Sequence, residues 1–290
     1  MNKLRRRFAK VLDRIEVTLE QPLDMAALAS SASCSVFHFQ RQFSAFVGLS
    51  VSDYSRLLRL KRAGQQLAFR ETLSVTEIAF DAGYENLESF SRAFKRTFGQ
   101  SPSEFRKAAD WTLWHQTYDP LIELKGSFMP EDKVIPDDIQ IVEFPETLVA
   151  ALEHKGPQAG LTTSARKFIA WRKEQGLSPA KSATFNILYD DPKTTAPAEF
   201  RFDFCCEITT PVSQNASGLV TKTIPRGPCA VLRHQGSLDF AEGKIRSLYR
   251  DWLPESGHEL RDFPLFVKRL TFYPDVPEHE AEADIFLPLQ

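Results

Sequence analysis

The chain has 290 residues, with 36 lysines and arginines against 38 aspartates and glutamates, a formal net charge of −2. Hydrophobic residues make up 42% of it and aromatics 11%, which excludes a disordered or fibrous protein. No stretch approaches the roughly 18 apolar residues of a membrane helix, and a near-neutral total argues against nucleic acid as a partner.

Resolved along the chain, the total changes meaning. Met1 to Asp110 carries 17 basic and 12 acidic side chains, a net of +5, and the remainder carries −7. That asymmetry points to a basic module meeting polyanions, joined to an acidic module of another kind. Cys34, Cys205, Cys206 and Cys229 show no C-x-x-C or His/Cys ligand spacing. They read as reduced thiols of a cytoplasmic protein, with no metal expected.

Phe8, Val11, Leu12, Ile15 and Leu19 follow helical spacing with charges between them, so the chain opens with an amphipathic helix rather than a signal peptide. The segment then repeats itself. Phe39-Gln40-Arg41-Gln42-Phe43 aligns with Phe90-Ser91-Arg92-Ala93-Phe94 at a shift of 51, as do Gly48 with Gly99 and Ser50 with Ser101. Each copy has the pattern of a helix-turn-helix: a short helix with a Leu28-Ala29 or Ile78-Ala79 pair, a tight turn, and a second helix with one phenylalanine face. The turns fall near Ser31–Ser33 and Asp81-Ala82-Gly83.

The opposite faces carry Val36, Phe37, Gln40, Arg41 and Ser44 in one copy and Glu88, Ser89, Arg92, Lys95 and Arg96 in the other. These residue types suit base edges and phosphates: Arg pairs bidentately with guanine, Gln with adenine. A single such face is usually a solvated surface; two at fixed spacing in a basic domain favour double-stranded DNA. A helical connection from Tyr54 to about Phe69 would hold the two helices for successive major-groove segments, about 34 Å apart.

Gly83-Tyr84, followed by Phe90-Ser91-Arg92-Ala93-Phe94-Lys95 and Gly99-Gln100-Ser101-Pro102, resembles the signature of AraC/XylS-type transcription regulators over roughly Val11 to Lys107. The resemblance implies Phe37, Gln40 and Arg41 in one major groove, and Leu87, Glu88, Ser89 and Arg92 in the next. Leu87 and Glu88 stand where relatives often have polar amides, which makes the second half-site harder to anticipate.

The stretch 111–136 mixes Trp, Pro, Gly and charges and reads as a linker with anchoring aromatics, between domains at 1–110 and 137–290. Strand-like alternation follows, as in Gln140-Ile141-Val142-Glu143-Phe144 and Phe200-Arg201-Phe202-Asp203-Phe204. This half is duplicated as well. His154-Lys155-Gly156-Pro157 recurs as His234-Gln235-Gly236-Ser237 at a shift of 80, whereas Trp171 with Trp252, and Asp203 with Asp284, recur at 81. Each copy reads strand, helix, strand, strand. The fold expected is therefore an all-α N-terminal domain plus an α+β domain with an antiparallel sheet, helices on one face and a pocket in the cleft between copies.

Leu188-Tyr189-Asp190-Asp191-Pro192, Phe202-Asp203-Phe204-Cys205-Cys206-Glu207 and Asp251-Trp252-Leu253-Pro254-Glu255-Ser256-Gly257 resemble the GyrI-like effector-binding domain over most of Pro136–Gln290. The resemblance implies a small-molecule effector. Many such domains carry a Glu in the strand after Pro264, where this chain reads Leu265-Phe266-Val267-Lys268-Arg269. Candidate ligand-binding residues are Tyr189, Phe202, Glu207, Trp252, Phe266 and Lys268; Lys268 either meets an anion or faces water.

No G-x-S-x-G, H-E-x-x-H or phosphate loop occurs, and His154 and His234 read as structural residues at strand ends. Neither a catalytic residue nor a cofactor is expected. The reading is a cytoplasmic transcription regulator that binds DNA and senses a small molecule, with RNA polymerase as a further candidate partner. The alternatives are a protein-interaction surface or a small-molecule hydrolase in the second half.

Overall fold

Six of the first eight helices begin at a side-chain cap, which sets where each one starts. The computed structural model describes residues 3–128 and 138–290, and these divide into two compact units, one of residues 3–128 with 277–279 and the other of 138–276 with 280–290. The first holds α1 (Lys3–Val17), α2 (Met25–Ser31), α3 (Val36–Val47), α4 (Val51–Phe69), α5 (Val75–Asp81), α6 (Leu87–Phe98), α7 (Pro102–Lys107) and α8 (Thr112–Phe128). Asp24, Ser35, Ser50, Ser74, Asn86 and Ser101 accept from the third amide of the helices they precede. The repeated glycines end the repeated helices: Gly48 closes α3 at φ +76° and Gly99 closes α6 at φ +74°, where a side chain would be strained.

Each helix-turn-helix builds its own core. Phe8, Leu12 and Ile15 of α1 meet Leu28 and Ala29 of α2 and Phe39, Phe43 and Val47 of α3. Ile78 and Ala79 of α5 meet Phe90, Phe94 and Phe98 of α6. The long α4 is shared, giving Tyr54 and Leu58 to the first core and Leu60, Ala63 and Leu67 to the second.

The expected linker is a second brace. Trp111, Trp114 and Tyr118 are buried in the second core and Phe128 in the first, and the Tyr118 hydroxyl donates to the Leu57 carbonyl at 2.7 Å. Pro120 and Gly126 read as breakers, yet Pro120 lies inside α8. An internal proline costs roughly 3 kcal/mol; burying Trp114, Tyr118 and Phe128 returns about 1.5–3 kcal/mol for each. Tertiary burial wins. The 129–136 part of that expected linker, and residue 137, lie outside the described residues.

The second unit holds β1 (Ile139–Phe144), β2 (Thr147–Lys155), α9 (Leu161–Glu174), β3 (Thr184–Leu188), β4 (Arg201–Glu207), β5 (Val220–Ile224), β6 (Gly227–Gln235), α10 (Glu242–Ser247), β7 (Leu265–Arg269) and β8 (Glu282–Pro288). All pairings are antiparallel, in the order β1-β6-β8-β7-β3-β4-β2-β5. The duplication is visible, with an exchange that the sequence does not announce. Each copy's leading strand leaves its own copy: β1 pairs with β6 and β5 with β2.

That exchange forces the sheet to curl. Phe144 ends β1 and Thr147 begins β2, so three Cα steps limit their separation to about 11 Å. In a flat sheet, six strand spacings would put them roughly 29 Å apart. The same holds for Ile224 and Gly227. The curl brings the ring of Phe144, on an edge strand, within 4.9 Å of Phe266 on β7 and 6.1 Å of Phe185 on β3.

Both helices cover the convex face. Phe168 and Trp171 of α9 pack on Ala150, Leu152 and Cys206, and the α10 region packs on Leu265, Val267 and Ile285. Helix α10 continues through a π turn, Leu248–Trp252, into Leu253–Ser256. The repeat shift grows from 80 to 81 between His234 and Trp252, and the π turn absorbs that one extra residue.

One glycine tests the brace. At Gly64 in α4 an added Cβ would sit 3.5 Å from Trp114 Nε1, ordinary contact. Gly64→Ala is expected to raise the stability of the first unit by about 0.5–1 kcal/mol, measured by urea unfolding. A loss would mean that the α4–α8 contact has no room for a methyl group.

Candidate functional site

The burial of each repeated helix leaves a defined outer face. On α3, Phe39 and Phe43 are fully buried while Phe37 is 86% exposed, beside exposed Gln40, Arg41 and Ser44. A phenylalanine that open sits badly in water and is well placed for an apolar contact. On α6, Phe90 and Phe94 are fully buried and Phe98 nearly so, whereas Leu87, Glu88, Arg92, Lys95 and Arg96 are exposed. Ser89 is half-buried, and its hydroxyl donates to the Asn86 carbonyl at 2.9 Å. The Arg92 guanidinium donates to Glu88 at 2.8 Å. Each expected reading residue thus lies outside the core. The mutual engagement of Glu88 and Arg92 is additional: a carboxylate occupies the very arginine expected to read a base, in an exposed pair worth only about 0.3–0.5 kcal/mol.

In the second unit the six expected ligand residues divide between faces. Direct pairings run Val231–Phe286–Phe266–Ile187–Asp203–Glu153 across six strands, so these side chains share the concave face. Tyr189 packs on the same cluster as Phe266, and Lys268, directly opposite Phe185 and Asp284, also lies on that face. Phe202 and Trp252 do not join them. Phe202 alternates with Asp203 and packs on Phe204 on the helix side, and Trp252 packs in the convex core. Glu207 is exposed at the end of β4. Phe266 itself has no exposure and stacks on Phe286 at 4.8 Å, with Phe144 covering both. It is a core residue first.

The comparisons with known proteins bear on both units. Residues 137–290 match the GyrI-like small molecule binding domain, and residues 28–108 match a helix-turn-helix domain. The chain belongs to the GyrI-like family. It joins that domain to an AraC-type helix-turn-helix domain, the build of a DNA-binding transcription regulator. It is similar to the "Probable transcriptional regulator YgiV" of Escherichia coli (strain K12), 40% identical over 52% of this chain and 96% of that protein. It is also similar to the "Right origin-binding protein" of the same strain, 29% identical over 48% of this chain and 47% of that protein. Among solved structures, the EcmrR–DNA complex in EcmrR-RPo aligns over 92% of this chain and 98% of its own, at 12% identity and a TM-score of 0.45.

The GyrI-like domain of this chain carries a charged cluster that sequence reading passed over. Asp203, only 2% exposed, accepts from Lys222 Nζ at 2.6 Å and from the Tyr189 hydroxyl at 2.8 Å. Lys222 also reaches Glu153 at 2.7 Å and Tyr189 at 3.1 Å. Arg201 and Lys222 both lie over the Tyr189 ring, at 5.2 and 5.4 Å. Burial works against the charge on Lys222, but its hydrogen bonds to Asp203, Glu153 and Tyr189 outweigh that and hold it above the ordinary lysine range. Arg269, the second cation noticed in β7, instead donates to Asn186 Oδ1 at 2.7 Å on the helix side. The signal for Asp203 was its parity with Cys205; nothing local links it to Lys222, nineteen residues away.

His154 and His234 each hold the turn that follows their strand, and the His234 ring meets the Ser237 carbonyl at 2.9 Å. The His154 ring lies 2.9 Å from Ser164 Oγ through Nδ1 and 3.3 and 3.2 Å from the Gly156 and Pro157 carbonyls through Nε2, fixing the turn after β2.

Lys222→Met leaves the Asp203 carboxylate buried with the Tyr189 hydroxyl as its remaining side-chain donor here. The expected loss is about 1.5–3 kcal/mol in urea unfolding, below that of a fully buried pair because Lys222 is a quarter exposed. The folded-state value lies above the unfolded one, so the contribution of Lys222 is complete below about pH 10 and lost only as pH rises through the folded value. An unchanged midpoint at pH 7 would show that the cluster does not stabilise the sheet.

Proposed function

We propose that the chain is a one-component regulator whose helix-turn-helix half reads double-stranded DNA and whose GyrI-like half senses a small-molecule effector. Phe37, Gln40 and Arg41 of α3 read one major-groove segment. Leu87, Glu88, Ser89, Arg92 and Lys95 of α6 read the next. The observation that carries this reading is the pair of exposed faces on repeated helices whose opposite faces are buried phenylalanines. Supporting it, the repeat match is to a helix-turn-helix domain, and the relatives named above are called regulators.

The effector binds the concave face, at the rim formed by Tyr189, Asp203, Lys222 and Lys268. Tyr189 offers a ring and a hydroxyl together, while Phe266 gives the floor its rigidity. Ligand binding shifts the balance between regulatory states through different affinity for each, read out through contacts to DNA or RNA polymerase. The half is a sensor without catalysis, in keeping with the turn-holding roles of His154 and His234, and a cytoplasmic place follows from its DNA partner. No helix among the described residues is long and apolar enough to cross a membrane.

Selection of bound sequences from random duplex DNA at fixed salt yields an operator. On it, Arg41→Ala and Arg92→Ala are each expected to weaken binding by about 1–3 kcal/mol and to relax preference at one position. Undiminished affinity in both would remove the groove assignment. For the sensor, small molecules that shift the melting of the wild type are retested on Tyr189→Ala. Loss of that shift with operator affinity unchanged is expected; an unaltered shift would move the effector site elsewhere.

A further inference from the structure

Helix α1 carries a basic stripe that the base-reading faces do not use. Lys3, Arg6, Arg7, Lys10 and Arg14 fall at i, i+3, i+4, i+7 and i+11, one side of the helix. Lys3, Arg6, Arg7 and Lys10 line a depression with Ser31 and Ser33. Ser31 ends α2, and Ser33 lies in the turn that follows, two residues before the Ser35 cap of α3; Ser33 adopts φ +55°, and Arg14 Nη1 donates to Ser31 at 3.3 Å.

The stripe has no internal counter-charge. The acidic residues of the same helix, Asp13 and Glu16, are turned to Lys125 of α8, at 3.1 and 2.6 Å. Among the described residues, no carboxylate forms an ion pair with Lys3, Arg6, Arg7 or Lys10. The repeat supplies an internal comparison. Helix α4 stands to the second helix-turn-helix as α1 stands to the first, and its arginines are occupied: Arg56 by Asp53 at 2.8 Å, Arg62 by Glu20, and Arg59 by the Leu19 and Gln21 carbonyls at 2.8 and 3.1 Å. The arginines of α4 are thus engaged by carboxylates or carbonyls, whereas Lys3, Arg6, Arg7 and Lys10 of α1 have no carboxylate partner among the described residues.

We infer that this depression is a clamp for the phosphodiester backbone of duplex DNA, beside the half-site read by α3. It rests on the DNA reading proposed above and extends it from base edges to phosphates. In a helix-turn-helix the start of the reading helix enters the groove, so the preceding turn rides at the groove lip where phosphates pass. Four cations and two hydroxyls there suit phosphate oxygens, which fix position without carrying sequence. The clamp adds affinity for any sequence, and adds it to the first half-site only.

The test uses the full chain with its selected operator and with a random duplex, titrated over a range of salt. Combined Arg6→Gln, Arg7→Gln and Lys10→Gln changes, at two exposed positions and the half-buried Arg7, are expected to reduce the slope of log affinity against log salt by about 2–3. Operator and random DNA should weaken by the same factor, with sequence preference intact. The charge-keeping set, Arg6→Lys, Arg7→Lys and Lys10→Arg, should retain the wild-type slope. An unchanged slope in the glutamine variant overturns the clamp while wild-type operator binding leaves base reading standing. A wild type with no salt-dependent DNA affinity overturns both. Loss of binding to anionic phospholipid vesicles with an unchanged DNA slope would assign the stripe to a lipid surface and overturn the clamp.

Discussion

Two residues, Pro145 and Glu146, separate β1 from β2, and two more, Arg226 and Pro225, separate β5 from β6. The strands so joined stand at opposite sides of an eight-stranded sheet. No flat sheet satisfies both connections, so the sheet curls and one face becomes a trough. Everything described for the second unit follows from that. The helices take the convex side because the trough has no width for them, and Phe144 reaches rings three and four strands away. A carboxylate that would be solvated on an open sheet is buried with a lysine and a tyrosine.

The first unit depends on sharing rather than curling. The two helix-turn-helix cores are bridged twice, by α4 and by α8, each contributing apolar side chains to both. Reading helices can present polar faces only because phenylalanines behind them are fixed. The separation between two reading faces is then a property of helices, which are stiff, and not of loops. Within α6, the Glu88 carboxylate engages the Arg92 guanidinium one turn along the same exposed face.

Much of this was legible from residue spacing. The shifts of 51 and 80–81 located both duplications, and the phenylalanine faces of the repeated helices separated buried from exposed side chains. Three things were not legible. Helix α8 was hidden by Pro120 and Gly126, because local propensity is weak against the burial of tryptophans whose partners lie fifty residues earlier. The candidate ligand residues were drawn from both faces of the sheet, since alternation shows that Phe202 and Asp203 face opposite ways but not which face is concave. And Phe266, well placed by family resemblance, turned out to be covered by Phe144, a contact created by the curl and by nothing near it in sequence.

The exchanged strands also set the terms on which the protein comes into being. Ile139 pairs with Leu232 and Val149 with Lys222, so neither copy in the second half has its edge until the other copy exists. Half of that domain is not a foldable piece, and the ribosome must release nearly all of it before the sheet is complete. The helices of the first unit are all made by residue 128, before the first strand begins at Ile139. A nascent chain therefore passes through an interval in which a finished helix-turn-helix unit is tethered to an unfinished sheet.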